Sequence, residues 1–224
     1  YERDMSRDIA AAATLKRNLK DAVKENQFRL HYHPQVDLIS KEIVSLEVLT
    51  RWDHPQQGLI YPNDFIHIAE ETRFIIPMGD FVLRTACKQL KQWHDNGFPK
   101  YNISINISPI QLQQRHFVEN MQDVLNDTGL DPSYIELEIT EHSLIRYMEQ
   151  AIDALEKLHD MGIKISLDDF GTGYSSLNYL KKLPVDIIKM DKTFIDSVED
   201  EVDRAIVKAI IAMGHDMDLC ITAE

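Results

Sequence analysis

Acidic side chains recur at the downstream ends of short alternating stretches, accompanied by one amide and one lysine. Glu47, Asn106, Glu138, the Asp168-Asp169 pair, Lys189 and Glu224 each stand late in a run with β-type patterning. Oxygen donors of this kind, with no thiolate among them, form the ligand set of a hard divalent cation such as Mg²⁺ or Mn²⁺. Acids that converge on one site also need cations to hold them together, because buried like charges repel. None of the nine histidines is assigned to a metal. Cys87 and Cys220 are far apart and make no CxxC spacing, which leaves neither a zinc knuckle nor a disulfide framework and suits a reducing cytoplasm.

The elements that must position these residues follow from the patterning. Strands are expected over Leu30–Leu38, Ile43–Arg51, Tyr101–Ser108, Ile135–Thr140, Lys164–Phe170, Asp186–Asp191 and Ile221–Glu224. Helices are expected near Pro62–Glu71, Gly79–Asn96, Phe117–Asp127, His142–Met161 and Val202–Met213, with Gly97, Gly129 and Gly162 as C-caps. The first 27 residues read as a leading or linking helix through Ile9, Leu15, Leu19 and Val23. Alternation of strand and helix predicts α/β architecture with a parallel sheet. The strands Ile103–Ser108, Ile135–Thr140 and Ile163–Asp168 alternate apolar and polar residues. Helical crossovers need the apolar faces, so the polar faces, including Glu136, Glu138, Lys164, Ser166 and Asp168, are expected to point toward a barrel axis. In such barrels the C-terminal strand ends carry the chemistry.

Composition narrows the partners. The chain has 224 residues, 44% apolar and 27% charged, enough for a sizeable core. A formal net charge of −13 argues against duplex nucleic acid or an anionic lipid surface as partner. An anionic substrate remains compatible where cations reverse the local sign. No membrane-length apolar run and no secretory leader pattern is present in this sequence. Trp52 and Trp93 are expected to pack rather than to bind ligand.

Six segments in one order resemble the EAL domain family. They are Glu47-Val48-Leu49-Thr50-Arg51, Asn106-Ile107-Ser108, Glu138-Ile139-Thr140-Glu141, Asp168-Asp169-Phe170-Gly171-Thr172-Gly173-Tyr174-Ser175-Ser176-Leu177, Lys189-Met190-Asp191, and the closing Ala223-Glu224. The resemblance runs from about Leu30 to the end. It implies a TIM-like (β/α)8 barrel whose eighth strand and final helices are absent from the seven strands visible here. An EAL domain over 28–224, incomplete at its C-terminal side, would follow the helix of 1–27.

The resemblance also implies an activity: hydrolysis of cyclic di-GMP to linear pGpG with two Mg²⁺ or Mn²⁺ ions. Glu47, Asn106, Glu138 and Asp168 would hold one ion, and Asp168, Asp169 and Glu224 the other. Lys189 would orient or deprotonate the attacking water or balance developing charge. Arg51, with Leu49 and His33, would contact the substrate; His33 stands where the family carries glutamine in its Tyr-Gln-Pro strand. Glu141 would anchor the Asp169–Ser176 loop, which in the family links metal occupancy to a homodimer contact. Such domains commonly follow a GGDEF or sensory domain, in the cytoplasm or on the cytoplasmic side of the inner membrane. The competing reading on the same scaffold is a receptor that binds cyclic di-GMP without cleaving it.

Overall fold

The structure is a computed structural model; it describes residues 15–19, 21–171 and 180–223, apart from the side chains of 143–150. The chain divides into two compact units. One comprises the residues up to Ile103 together with Asn120–Leu130, and the other Ser104–Glu119 together with the residues from Asp131 onward.

The first unit is built on an antiparallel hairpin. Strand β1 (Phe28–Val36) pairs with β2 (Ile43–His54), with Phe28 opposite Trp52 and His33 opposite Glu47. The connecting turn is held by Asp37, whose Oδ1 accepts the amides of Ile39 and Ser40. A third strand, β3 (Gly58–Ile60), folds back on β2. It is absent from the expected strands because three residues carry too little periodicity to be seen. Its turn is held by the His54 ring, whose Nδ1 accepts the Gln56 and Gln57 amides. Helix α1 (Pro62–Glu71) opens on proline, whose missing N–H costs nothing at that position. Helix α2 (Ile75–Asp95) starts four residues before the expected Gly79, because Pro77 lies within its first turn. Its buried face repeats at helical spacing through Ile75, Met78, Val82, Ala86 and Leu90.

The core of this unit is aromatic. Phe28, Trp52 and Phe65 lie with ring centroids 5.8–5.9 Å apart, in tilted or edge contacts. Trp52 and Trp93 both pack as expected, Trp93 edge-on to Tyr32 at 4.8 Å. Leu15, Leu19 and Ala22 are buried, in keeping with the helical spacing read near the start of the chain.

Strand β4 (Asn102–Asn106) and helix α4 (Phe117–Thr128) each contribute residues to both units. Within the second unit the sheet runs β4, β5 (Ile135–Thr140), β6 (Lys164–Phe170), β7 (Ile187–Met190) and β8 (Cys220–Ala223). The β5–β6, β6–β7 and β7–β8 pairs are parallel. Short α3 (Pro109–Leu112) is opened by a capping box in which Ser108 and Gln111 exchange side-chain-to-amide bonds. Helix α5 (Glu141–Asp160) crosses from β5 to β6, and α6 (Lys192–Asp196) and α7 (Glu201–Asp216) lie between β7 and β8. Gly97, Gly129 and Gly162 follow their helices with φ of 81°, 65° and 92°, the left-handed conformation a C-cap needs.

Both faces of the central strands are shielded. In β5 every residue from Ile135 to Ile139 is buried, Glu136 and Glu138 included, which is the signature of a parallel sheet covered on both sides. Lys164 departs from the expectation of an inward polar row. It opens β6 and is exposed, because a strand's first residue lies at the sheet margin. No helix among the described residues is long and apolar enough to cross a membrane.

Candidate active site

In the first unit, β2 carries Glu47, Leu49 and Arg51 at alternate positions, so strand periodicity puts them on one face. His33 is the cross-strand partner of Glu47 in the β1–β2 register and is exposed. His31 and His33, two apart on β1, share that exposure. The Arg51 guanidinium donates to the Thr50 carbonyl at 3.0 Å and lies over the Tyr61 ring, 5.1 Å from its centroid. This cation–π contact was not expected from the sequence, since nothing in the local pattern ties position 61 to position 51.

In the second unit, consecutive parallel strands bring acids and a lysine together. Lys189 on β7 is 1% exposed, and its Nζ stands 3.0 Å from Glu138 Oε1 on β5 and 3.4 Å from Asp168 Oδ1 on β6. Three unlike strands thus close a buried carboxylate–ammonium–carboxylate triad. Asn106 ends β4 and is exposed, and the following Ile107 amide donates to the Glu138 carbonyl at 2.8 Å.

Strand β6 is irregular where its acids sit. The β6–β7 register shifts between Leu167 and Phe170, and Asp169 takes a left-handed φ of 55°. A bulge of this sort re-aims side chains at a strand end, so that two adjacent aspartates need not point to opposite faces. The left-handed backbone costs on the order of 1 kcal/mol for a non-glycine residue, so neighbouring contacts must hold it. Nearby, the Asp191 carboxyl is held below its usual range, mainly by the Thr193 hydroxyl and amide. Glu141, the first residue of α5, is buried and accepts the Gly171 amide at 3.0 Å. Glu224 and Thr172–Ser176 lie outside the described residues.

The donors suit a hard cation. Asp168 Oδ1 is buried and has no hydrogen-bond donor among the described residues, leaving it to the Lys189 ion pair. Carboxylates of this kind with an adjacent amide match oxygen-seeking Mg²⁺ or Mn²⁺ better than a softer metal. Among the described residues no group of three or more His, Cys, Asp or Glu side chains stands close enough to form a metal cage by itself.

Glu136 lies two residues before Glu138 on β5 and is buried. Burial pushes its carboxyl above the usual range, against the opposing pull of Ser166 and Lys189. A raised folded-state value means the native protein holds a proton that the unfolded chain releases, so stability falls as pH rises through the ordinary glutamate range. Glu136→Gln is therefore expected to raise the melting temperature at pH 7–8 and to lose that advantage below about pH 4. Thermal melts of both proteins across that range check it; a constant difference at all pH values would rule it out.

Against this geometry the sequence profile of the EAL domain matches residues 16–224. The chain belongs to the EAL domain family. It is 40% identical over its whole length to the bifunctional diguanylate cyclase/cyclic di-GMP phosphodiesterase MucR of Pseudomonas aeruginosa, covering 33% of that protein. It is 39% identical to the cyclic di-GMP phosphodiesterase NbdA of the same organism, with 98% of this chain matched to 29% of NbdA. The EAL chain thus spans about a third of the length of these relatives. Among solved structures, the PaMucR phosphodiesterase in complex with cyclic di-GMP superposes with a TM-score of 0.89 at 41% identity, covering 94% of this chain and 85% of that one. The fold class is accordingly the α/β, TIM-like barrel of EAL domains.

Proposed function

We propose that this EAL domain hydrolyses cyclic di-GMP to linear pGpG with two divalent cations, Mg²⁺ or Mn²⁺. The observation that carries this reading is the buried Lys189 held between Glu138 and Asp168 at the ends of parallel strands. That arrangement is costly for stability alone, and it belongs where charge must be handled away from water.

On the sequence motifs, Glu47, Asn106, Glu138 and Asp168 would hold one cation, and Asp168, Asp169 and Glu224 the second. When bound, the pair lowers the proton affinity of a water and offsets charge on a phosphoryl oxygen. The chain's own residues do the rest. Arg51 engages the phosphodiester through its planar guanidinium, with Leu49 and His33 beside the nucleotide. Lys189 orients the attacking water and balances the negative charge that grows on phosphorus-bound oxygen. The water oxygen forms a bond to phosphorus, the P–O3′ bond breaks, and the 3′ oxygen leaves with a proton.

Glu141 tethers the segment that follows β6, and we propose that the Asp169–Ser176 loop joins two copies into a homodimer. The reading carries with it a cytoplasmic location, or the cytoplasmic side of the inner membrane, and an upstream GGDEF or sensory domain in the whole protein.

The experiment is turnover of cyclic di-GMP by the intact protein with Mg²⁺, with Mn²⁺ and with EDTA, beside Glu47→Ala. The expected result is pGpG produced only with metal and lost by at least about 10³-fold in the variant. Tight cyclic di-GMP binding with no product in either metal would replace the hydrolase with a receptor.

A further inference from the structure

Two left-handed residues close together, Asp169 and Gly171, form the turn that ends β6. Such a turn persists only when its surroundings over-determine it. One restraint is the Glu141 carboxylate on the Gly171 amide. A second comes from α6. A Cβ built on Gly171 would lie 2.8 Å from Phe194 Cε2 and 3.1 Å from its Cζ, with Ile210 Cδ1 of α7 at 3.6 Å. The ring of Phe194 therefore lies directly against the Gly171 backbone, in the space where any side chain would go. Phe194 is itself set by the cap of α6. Asp191 Oδ1 accepts the Thr193 amide at 2.8 Å, and the Phe194 amide donates to the Asp191 carbonyl at 3.2 Å.

We propose that Phe194 is a positioning residue. Its ring is the floor on which the Asp169–Gly171 turn rests, and it keeps the Asp168 and Asp169 carboxylates aimed by denying the backbone room to relax. Glu141 restrains the turn by a directional bond, and Phe194 opposes it by packing. Removing the ring takes away the packing restraint, and the left-handed strain at Asp169 is then free to discharge. The catalytic meaning of this role rests on the hydrolase reading; the role in holding the turn does not.

Hydrogen exchange of the intact protein, read at the Gly171 amide without metal or nucleotide, tests the turn itself. Phe194→Ala is expected to speed exchange at Gly171 by about tenfold, while the Leu137 and Ile188 amides of β5 and β7 keep their wild-type rates. Phe194→Leu, which refills part of the space, is expected to recover most of the protection. The melting-temperature rise produced by Mn²⁺ is expected to shrink in Phe194→Ala and to return in Phe194→Leu. In turnover, kcat is expected to fall with the KM for cyclic di-GMP unchanged. Wild-type exchange at Gly171 in Phe194→Ala, or acceleration there only in step with Leu137 and Ile188, would overturn the proposal. A wild-type protein that hydrolyses nothing would sink the hydrolase reading alone, since the exchange result still decides the role of Phe194.

Discussion

Lys189→Met is expected to lower cyclic di-GMP turnover by about 10³-fold or more and to destabilise the fold by about 3–5 kcal/mol. Methionine keeps much of the volume, so the loss reports charge rather than a cavity. With the ammonium gone, Glu138 and Asp168 face one another in a site almost closed to water. Two buried carboxylates cannot both stay ionised without a counter-charge, so one must take up a proton or the strands must separate. Stability is measured by chemical denaturation in EDTA, where no added cation can substitute for the lysine, and turnover is measured separately with Mn²⁺. A variant as stable as wild type in EDTA would mean that the two acids do not depend on Lys189. A variant that is destabilised but fully active would remove Lys189 from the chemistry and leave it a structural role.

The second large effect concerns the first unit. Trp52 is fully buried and sits in van der Waals reach of Phe28 and Phe65, and its indole N–H donates to Gln27 Oε1 at 2.9 Å. Trp52→Ala opens a void that rigid aromatic neighbours fill poorly, and it strands the Gln27 oxygen. The expected cost is about 3–5 kcal/mol, seen as a fall of roughly ten degrees in melting temperature. Trp52→Phe removes the hydrogen bond and part of the ring, and is expected to cost less than half as much. Melting followed by circular dichroism distinguishes the two. A loss below about 1 kcal/mol for alanine would mean the cluster of Phe28, Trp52 and Phe65 is not the core of this unit.

Much of this protein is legible in its sequence, because much of it is specified by near neighbours in the chain. Period-two alternation marks β5 and β6 with the bounds that the structure has, Ile135–Thr140 and Lys164–Phe170. Helical spacing and terminal glycines mark the ends of the longer helices, since a C-cap needs only one residue able to adopt positive φ. The residues with chemistry stand out by type and order, and the family follows from their motifs.

What the sequence by itself does not determine depends on residues far apart in the chain. Strand β3 exists because the His54 ring holds its turn, and three residues on their own show no period. Alternation in β5 already turns Glu136 and Glu138 inward; how completely they are shut off from water, at 5% and 1% exposure, is decided only by the packed structure. Lys189 can be read as a catalytic lysine from its motif, but its place between Glu138 and Asp168 is decided by the register of three parallel strands. The left-handed Asp169 and the ring of Phe194 against Gly171 are likewise tertiary facts. Local patterning sets which way a side chain points along its own element, whereas the contacts that aim it and fix its charge come from other elements, brought close only when the sheet and its helices pack.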